Sequence, residues 1–133
     1  MKTIDTNYLV RLFTNQPNEM ARKALIDLEN SEQGEIFLPD FVVSELIYVL
    51  EFHKELSYKR AEIIEGVSLI LSHPAWRVDI ELHNLALKMY SDNSKLDYVD
   101  CLIIGLYKLK RVKGVFTFDK QVRKHTNSRH GKS

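Results

Sequence analysis

Short β-type runs alternate with helical ones along the chain, and this alternation restricts the fold more than any other feature. Met1 to Asp5 has strand character. Glu35-Ile36-Phe37-Leu38, between Gly34 and Pro39, reads as a second strand. Trp76-Arg77-Val78-Asp79-Ile80 alternates as a third, and Lys113 to Phe118 as a fourth. Between them, Thr6-Asn7 can cap a helix through Tyr8 to Phe13. Asn18 to Glu32 carries Met20, Ala21, Ala24, Leu25 and Leu28 at three-and-four spacing. Asp40 is expected to cap a helix reaching Leu56, and Ser57 another reaching Leu71. Leu82 to Ser91 is helical, and Leu96 to Leu109 is apolar nearly all round, which calls for burial on more than one side. Strands separated by helices pair in parallel through helical crossovers. The expected fold is therefore a three-layer α/β/α domain around a central parallel sheet of four or five short strands. In such folds ligands gather outside the carboxyl ends of the strands.

At 133 residues the chain suits one domain, expected over residues 1–124 with a basic tail from 125 to 133. A single cysteine, Cys101, leaves no pair for an internal disulfide and no Cys-based zinc knuckle. The longest apolar stretch, Cys101 to Tyr107, is far short of the ~20 residues of a membrane span. Asp5 stands where a secretory signal would need its apolar region. The expectation is a cytoplasmic protein with no membrane role.

The net charge of +1 conceals an asymmetry. Residues 1–107 hold 10 Lys/Arg against 17 Asp/Glu, and residues 108–133 hold 9 Lys/Arg against Asp119 alone. A basic end on an acidic body can bind anions, nucleic acid among them; a solvated helix face is the plainer explanation.

Carboxylates occupy unusual places. Asp5 and Asp119 each follow a strand-like run, at what a parallel sheet would make its ligand-binding edge. Each also precedes a helix start, so helix capping explains either one equally well. Glu45 falls on a helical wheel among Phe41, Phe52 and Val49, and Asp100 between Leu96 and Ile104. An ionised carboxylate buried there without a partner costs several kcal/mol, so it should be paired, protonated or bound to metal. Residues 96–107 contain no Lys or Arg to neutralise Asp100. Asp97, at the start of that helix, reads as a cap favoured by the helix dipole. If Asp5, Glu45, Asp100 and Asp119 converge, their repulsion calls for a divalent cation, and hard oxygen donors suit Mg²⁺ or Mn²⁺ rather than zinc. Such a site activates water and shields the charge of a phosphodiester.

Four stretches in order, Ile4-Asp5-Thr6-Asn7, Val43-Ser44-Glu45-Leu46, Asp97-Tyr98-Val99-Asp100-Cys101-Leu102-Ile103-Ile104 and Thr117-Phe118-Asp119-Lys120, resemble the PIN-domain ribonucleases. The likeness is strongest to the compact toxins of VapBC toxin–antitoxin pairs and covers nearly the whole chain. It implies a PIN-like fold and a Mg²⁺- or Mn²⁺-dependent endoribonuclease for single-stranded RNA, commonly a homodimer inhibited by a small antitoxin. Asp5, Glu45, Asp100 and Asp119 fall on the family's acidic quartet, with Asp5, Asp100 and Asp119 as metal ligands. Asn7, Thr117 and Asp97 fall on supporting polar positions. Gln121 and Val122 depart from the acid and the aromatic or leucine that many relatives carry after the last motif, and Cys101 replaces a common alanine. The basic residues Lys120, Arg123 and Lys124, just beyond Asp119, are expected to hold the RNA backbone.

Other chemistries fit less well. A phosphoacceptor receiver wants paired acids after its first strand, and an aspartyl-nucleophile phosphatase wants an acid where Asn7 stands. The non-enzymatic alternative is a catalytically inactive RNA-binding module of the same fold. His53, His73, His83, His125 and His130 show no i, i+4 pairing and are assigned surface or tail roles, while Tyr90 and Trp76 are assigned to the core.

Overall fold

Three strands of two residues each, β1 (Lys2–Thr3), β2 (Ile36–Phe37) and β3 (Trp76–Arg77), form a parallel sheet in the order β1-β2-β3. This computed structural model describes residues 1–126. Lys2 pairs with Ile36 and Ile36 with Trp76, so the strands run in step. Ile36 and Trp76 are buried while Phe37 is 46% exposed, as the two-residue side-chain period requires. Trp76 is a core residue, its indole N–H donating to the Ile70 carbonyl at 2.8 Å. Gly34, at φ 68°, turns the chain into β2, and Pro39, which has no N–H to offer a ladder, ends it. Short strands follow from these tight bounds.

The chain divides into two compact units, the first ending at Asp79 and the second beginning at Ile80. The first holds the sheet with α1 (Thr6–Thr14), α2 (Asn18–Glu29), α3 (Asp40–Phe52) and α4 (Arg60–Leu71). Helix α1 packs on α2, α3 and α4, around a core that includes Leu9, Ala24, Val43, Leu46, Leu50, Ile63 and Val67. The second unit holds α5 (Ile80–Asp92), α6 (Tyr98–Lys108) and α7 (Lys120–Thr126). There Leu82, Ala86, Tyr90, Cys101 and Ile104 are buried, and α6 packs against both α5 and α7. No described helix is long and apolar enough to cross a membrane.

Several sequence expectations are corrected. Among the described residues the sheet has three strands, not four or five. Residues 113–118 form no strand: Val115 and Thr117 are half-buried, but Phe116 and Phe118 are 92% and 85% exposed. The alternation survives there, with the aromatic side turned outward, where no sheet face receives it. Pro39 rather than Asp40 is the N-cap of α3, and Asp40 is its first residue. Helix α3 stops at Phe52. Ser57 does not cap α4; it stands in the left-handed region at φ 44°, and the helix starts at Arg60, where Glu62 accepts from the Lys59 N–H at 2.9 Å. Ile80 opens α5 instead of closing a strand. Val99, at 52% exposure, shows that α6 is not buried all round. Helix α7 includes His125 and Thr126, and the last basic residues, Arg129 and Lys132, lie outside the described residues.

Candidate functional site

In the first unit, Asp5 follows β1 and is the N-cap of α1. Its Oδ1 accepts the Tyr8 N–H at 3.1 Å, satisfying one of the orphan donors of the helix. Among the described residues its other oxygen makes no hydrogen bond. One turn into α3, Glu45 accepts a hydrogen bond from the Thr6 hydroxyl through Oε1. Thr6, which sequence reasoning passed over, thus ties the second acid to the turn that carries the first. Both carboxylates line one cleft of about 710 Å³ together with Asn7. The α1 side of the cleft is Asn7, Val10, Arg11 and Thr14, residues three and four apart and so on one helix face. The α3 side is Glu45, Val49 and His53, likewise spaced by four. Its acids stand at the amino-terminal ends of both stripes.

Glu45 is exposed, and so is the face around it: Phe41, Tyr48 and Phe52 are 73%, 66% and 55% exposed. The burial cost that singled Glu45 out is therefore absent, and what places it in the cleft is its bond to Thr6.

In the second unit, Asp97 is the N-cap of α6. Its Oδ1 accepts the Asp100 N–H at 2.8 Å, and Asp100 Oδ2 takes the Asp97 N–H at 3.4 Å, a reciprocal box. Asp100 is half-buried, and burial first, then the neighbouring charges of Asp97 and Asp119, raise its carboxyl above the ordinary range. Asp119 caps α7, its Oδ1 accepting from the Gln121 and Val122 N–H groups at 2.8 and 3.1 Å. Thr117 accepts the Asp119 N–H at 3.0 Å through its hydroxyl, which fixes the turn on which Asp119 stands. No strand precedes Asp119, so its position owes nothing to a sheet edge. Capping and ligand duty had stood as alternatives for Asp5 and Asp119; a cap uses one oxygen of each carboxylate and leaves the other. Among the described residues no three His, Cys, Asp or Glu side chains form a group placed to hold a metal ion.

The chain belongs to the PIN-domain family. The PIN domain model matches residues 2–127, a span that takes in every acid described above. Among curated proteins the chain is 29% identical over 126 residues to a VapC ribonuclease of Aquifex aeolicus (strain VF5), covering 93% of this chain and 91% of that one. No solved structure matches it.

Around the PIN acids the basic residues differ in their settings. Lys120 and Lys124 are exposed at α7, whereas Arg123 is half-buried and donates to the Thr117 carbonyl at 3.3 Å. Among the histidines, the surface assignment fails for His83, which is fully buried. Its Nδ1 lies 2.7 Å from the Tyr98 hydroxyl with the two rings stacked. His130 lies outside the described residues.

Proposed function

We propose that this PIN protein is a Mg²⁺- or Mn²⁺-dependent endoribonuclease acting on single-stranded RNA, the toxin of a toxin–antitoxin pair. The observation that carries the reading is the pairing of Asp5 with Glu45 in one cleft, within a PIN match that also spans Asp100 and Asp119. The donors are hard carboxylate oxygens, and the crowding that raises the Asp100 carboxyl is the condition a divalent cation relieves. The family resemblance assigns the ion to Asp5, Asp100 and Asp119, and when bound it would supply the Lewis acidity that phosphodiester hydrolysis needs. Glu45 lies beside the substrate path as a proton acceptor, oriented by Thr6. Asn7 offers an amide to the substrate at the cleft wall, and Asp97 and Thr117 hold Asp100 and Asp119 in place. Lys120, Arg123 and Lys124 offset the repulsion between a carboxylate cluster and a polyanion. The resemblance to VapBC toxins extends the reading to a small antitoxin and to a homodimer, and the VapC name of the relative supports it.

A metal-titrated cleavage assay on mixed single-stranded RNA, run beside Asp100→Asn, tests this. Cleavage is expected to rise with Mg²⁺ or Mn²⁺ and to vanish with chelator and in the variant. RNA bound but left intact at every metal concentration would make the protein a binding module instead.

A further inference from the structure

The α1–α3 cleft contains a cation that no catalytic assignment uses. Arg11 lies on the same face of α1 as Asn7, one turn further on. Helix α1 ends at Asn15, which takes the left-handed conformation at φ 57° and returns its N–H to the Arg11 carbonyl at 2.8 Å. Asparagine tolerates that region better than most side chains do. The turn beyond it presents the Gln16 carbonyl, which accepts from Arg11 Nη1 at 3.2 Å. The guanidinium is thus anchored toward the carboxyl end of the groove, away from Asp5, by a neutral backbone oxygen.

Its other donors are unspent. Nε is buried with no hydrogen-bond partner. Among the described residues Nη2 makes no hydrogen bond. Among the described residues no carboxylate lies within ion-pair distance of Arg11, although Asp5, Glu45 and Glu55 all line the same cleft. A half-buried arginine that a helix cap holds out of reach of nearby acids is not there to neutralise them. A guanidinium presents a planar fork of donors that matches phosphate.

We propose that Arg11 binds an RNA backbone phosphate neighbouring the one that is cut, fixing the register of the strand along the α1–α3 groove. Six residues of helix separate Arg11 from Asp5, a rise of about 9 Å, so one phosphate cannot serve both ends. Gln16 and Thr14 at the same end of the groove, with His53 opposite, form the polar wall against which that nucleotide lies. The ligand class rests on the ribonuclease reading given above.

The test uses the full chain carrying Asp100→Asn, in Mg²⁺, with a fluorescent single-stranded oligoribonucleotide whose integrity is followed alongside its anisotropy. Arg11→Gln is expected to weaken binding on the order of tenfold and to flatten the slope of log affinity against log salt by about 0.7, one phosphate contact on a single strand. Arg11→Lys should regain the slope but only part of the affinity, because a lysine is a point charge without the fork. In the cleaving parent, Arg11→Gln should raise KM more than it lowers kcat. An arginine that merely braces the turn at Gln16 would lower the melting temperature while leaving slope and KM at parental values, and that result overturns the proposal. So does failure of the parent to bind RNA at all. Arg11-dependent binding by a chain that cleaves nothing would remove the nuclease reading and uphold this one.

Discussion

Both units pair acids with cations, Glu81 with Arg111 at 2.9 Å in the second, but the acids whose carboxyls are shifted differ in direction between the units. In the first, acids are drawn into partnerships. Asp27 is held below the ordinary carboxylate range by hydrogen bonds from Tyr8 and then Lys23, and Glu35 by the Glu32 N–H and then Lys2. Glu51 meets Arg60 at 3.2 Å, and Glu45 takes the Thr6 hydroxyl. In the second unit Asp100 faces Asp97 and Asp119, and its carboxyl is raised. Partnered acids stabilise a fold, whereas acids set against one another cost stability and persist where a ligand repays it. By that criterion the electrostatic strain of the second unit centres on Asp100, while in the first unit Asp5 and Glu45 line a cleft.

Asp100→Asn breaks the contrast most directly. Outer-shell partners of metal ligands already cost about 10- to 100-fold in activity, so if Asp100 holds the ion as proposed, its loss should lower RNA cleavage by at least about 100-fold. With chelator present, the same variant should melt no lower than the parent at neutral pH. The sign follows from linkage. A native carboxyl raised above its unfolded value binds more protons when folded, so stability declines as pH rises through that window. Replacing the acid removes the decline, and the two melting curves should meet at low pH. A variant that unfolds more readily at pH 7 would make Asp100 a structural cap instead.

At Asp5 the cap and the proposed ligand role can be separated by substitution. Asp5→Asn keeps a side-chain oxygen for the Tyr8 N–H and should retain the parental melting temperature while losing cleavage. Asp5→Ala should lose cleavage too, and in addition about 0.5–2 kcal/mol of stability with the cap. Equal stability of the two variants in a denaturant titration would mean that the cap contributes nothing.

The cores of the units differ as well. A Cβ at Gly66 in α4 would meet the Phe13 ring, with Cδ2 at 2.9 Å and Cζ at 3.0 Å, and that ring stands edge-on to Tyr58 at 5.0 Å. Overpacking of this kind costs about 1–3 kcal/mol. At Gly105 in α6 the obstacle is one terminal methyl, Leu82 Cδ1, at 2.8 Å. A leucine can shift its terminal methyl, and alanine regains about 1 kcal/mol of helix propensity. In a denaturant titration Gly66→Ala should therefore lower the stability, and Gly105→Ala should leave it within about 1 kcal/mol of the parent. Equal losses would place a rigid wall in the second unit also.

Those differences mark what the sequence could and could not disclose. Helical stretches with a regular apolar stripe, such as Ala21-Ala24-Leu28, were legible because one helix face meets one core. Their ends were less so, since Pro39 and Ser57 act through backbone conformation rather than through a side-chain oxygen. Residues 113–118 read as a strand because alternation reports side-chain direction and says nothing about whether a neighbouring strand is there to pair. In the site, the acids stood out by type and position, and Asp100 for a sound reason, its lack of a local cation. Glu45 stood out for a mistaken one, as Phe41 and Phe52 beside it are exposed. Thr6 and Arg11 left only a faint trace: Thr6 bonds across 39 positions, and Arg11 is marked merely by its spacing from Asn7. Pairings over such separations are set by packing and have no local signature.

The smallest expected effect sharpens the first unit's side of the comparison. Tyr8 donates to Asp27, which also meets Lys23 at 2.9 Å. The Asp27 carboxyl is lowered, so its contribution to stability is present above the ordinary carboxylate pKa and is lost as pH falls through the native value. The same hydrogen bond, donated to Asp27, raises the Tyr8 phenol and favours its neutral form, so stability also declines as pH rises above the ordinary phenol value. The triad therefore supports the fold across the middle of the pH range and loses hold at both ends. Asp27 is 41% exposed, and solvent screening limits the Tyr8–Asp27 hydrogen bond to about 1 kcal/mol or less. Tyr8→Phe should cost that amount at pH 7 and flatten the acid limb of the stability profile, in contrast to Asp100→Asn, which acts with the opposite sign. Melting temperatures taken from pH 3 to pH 7 for the two variants should diverge from the parent in opposite directions. Divergence in one direction would mean that the two units do not differ electrostatically in the way described.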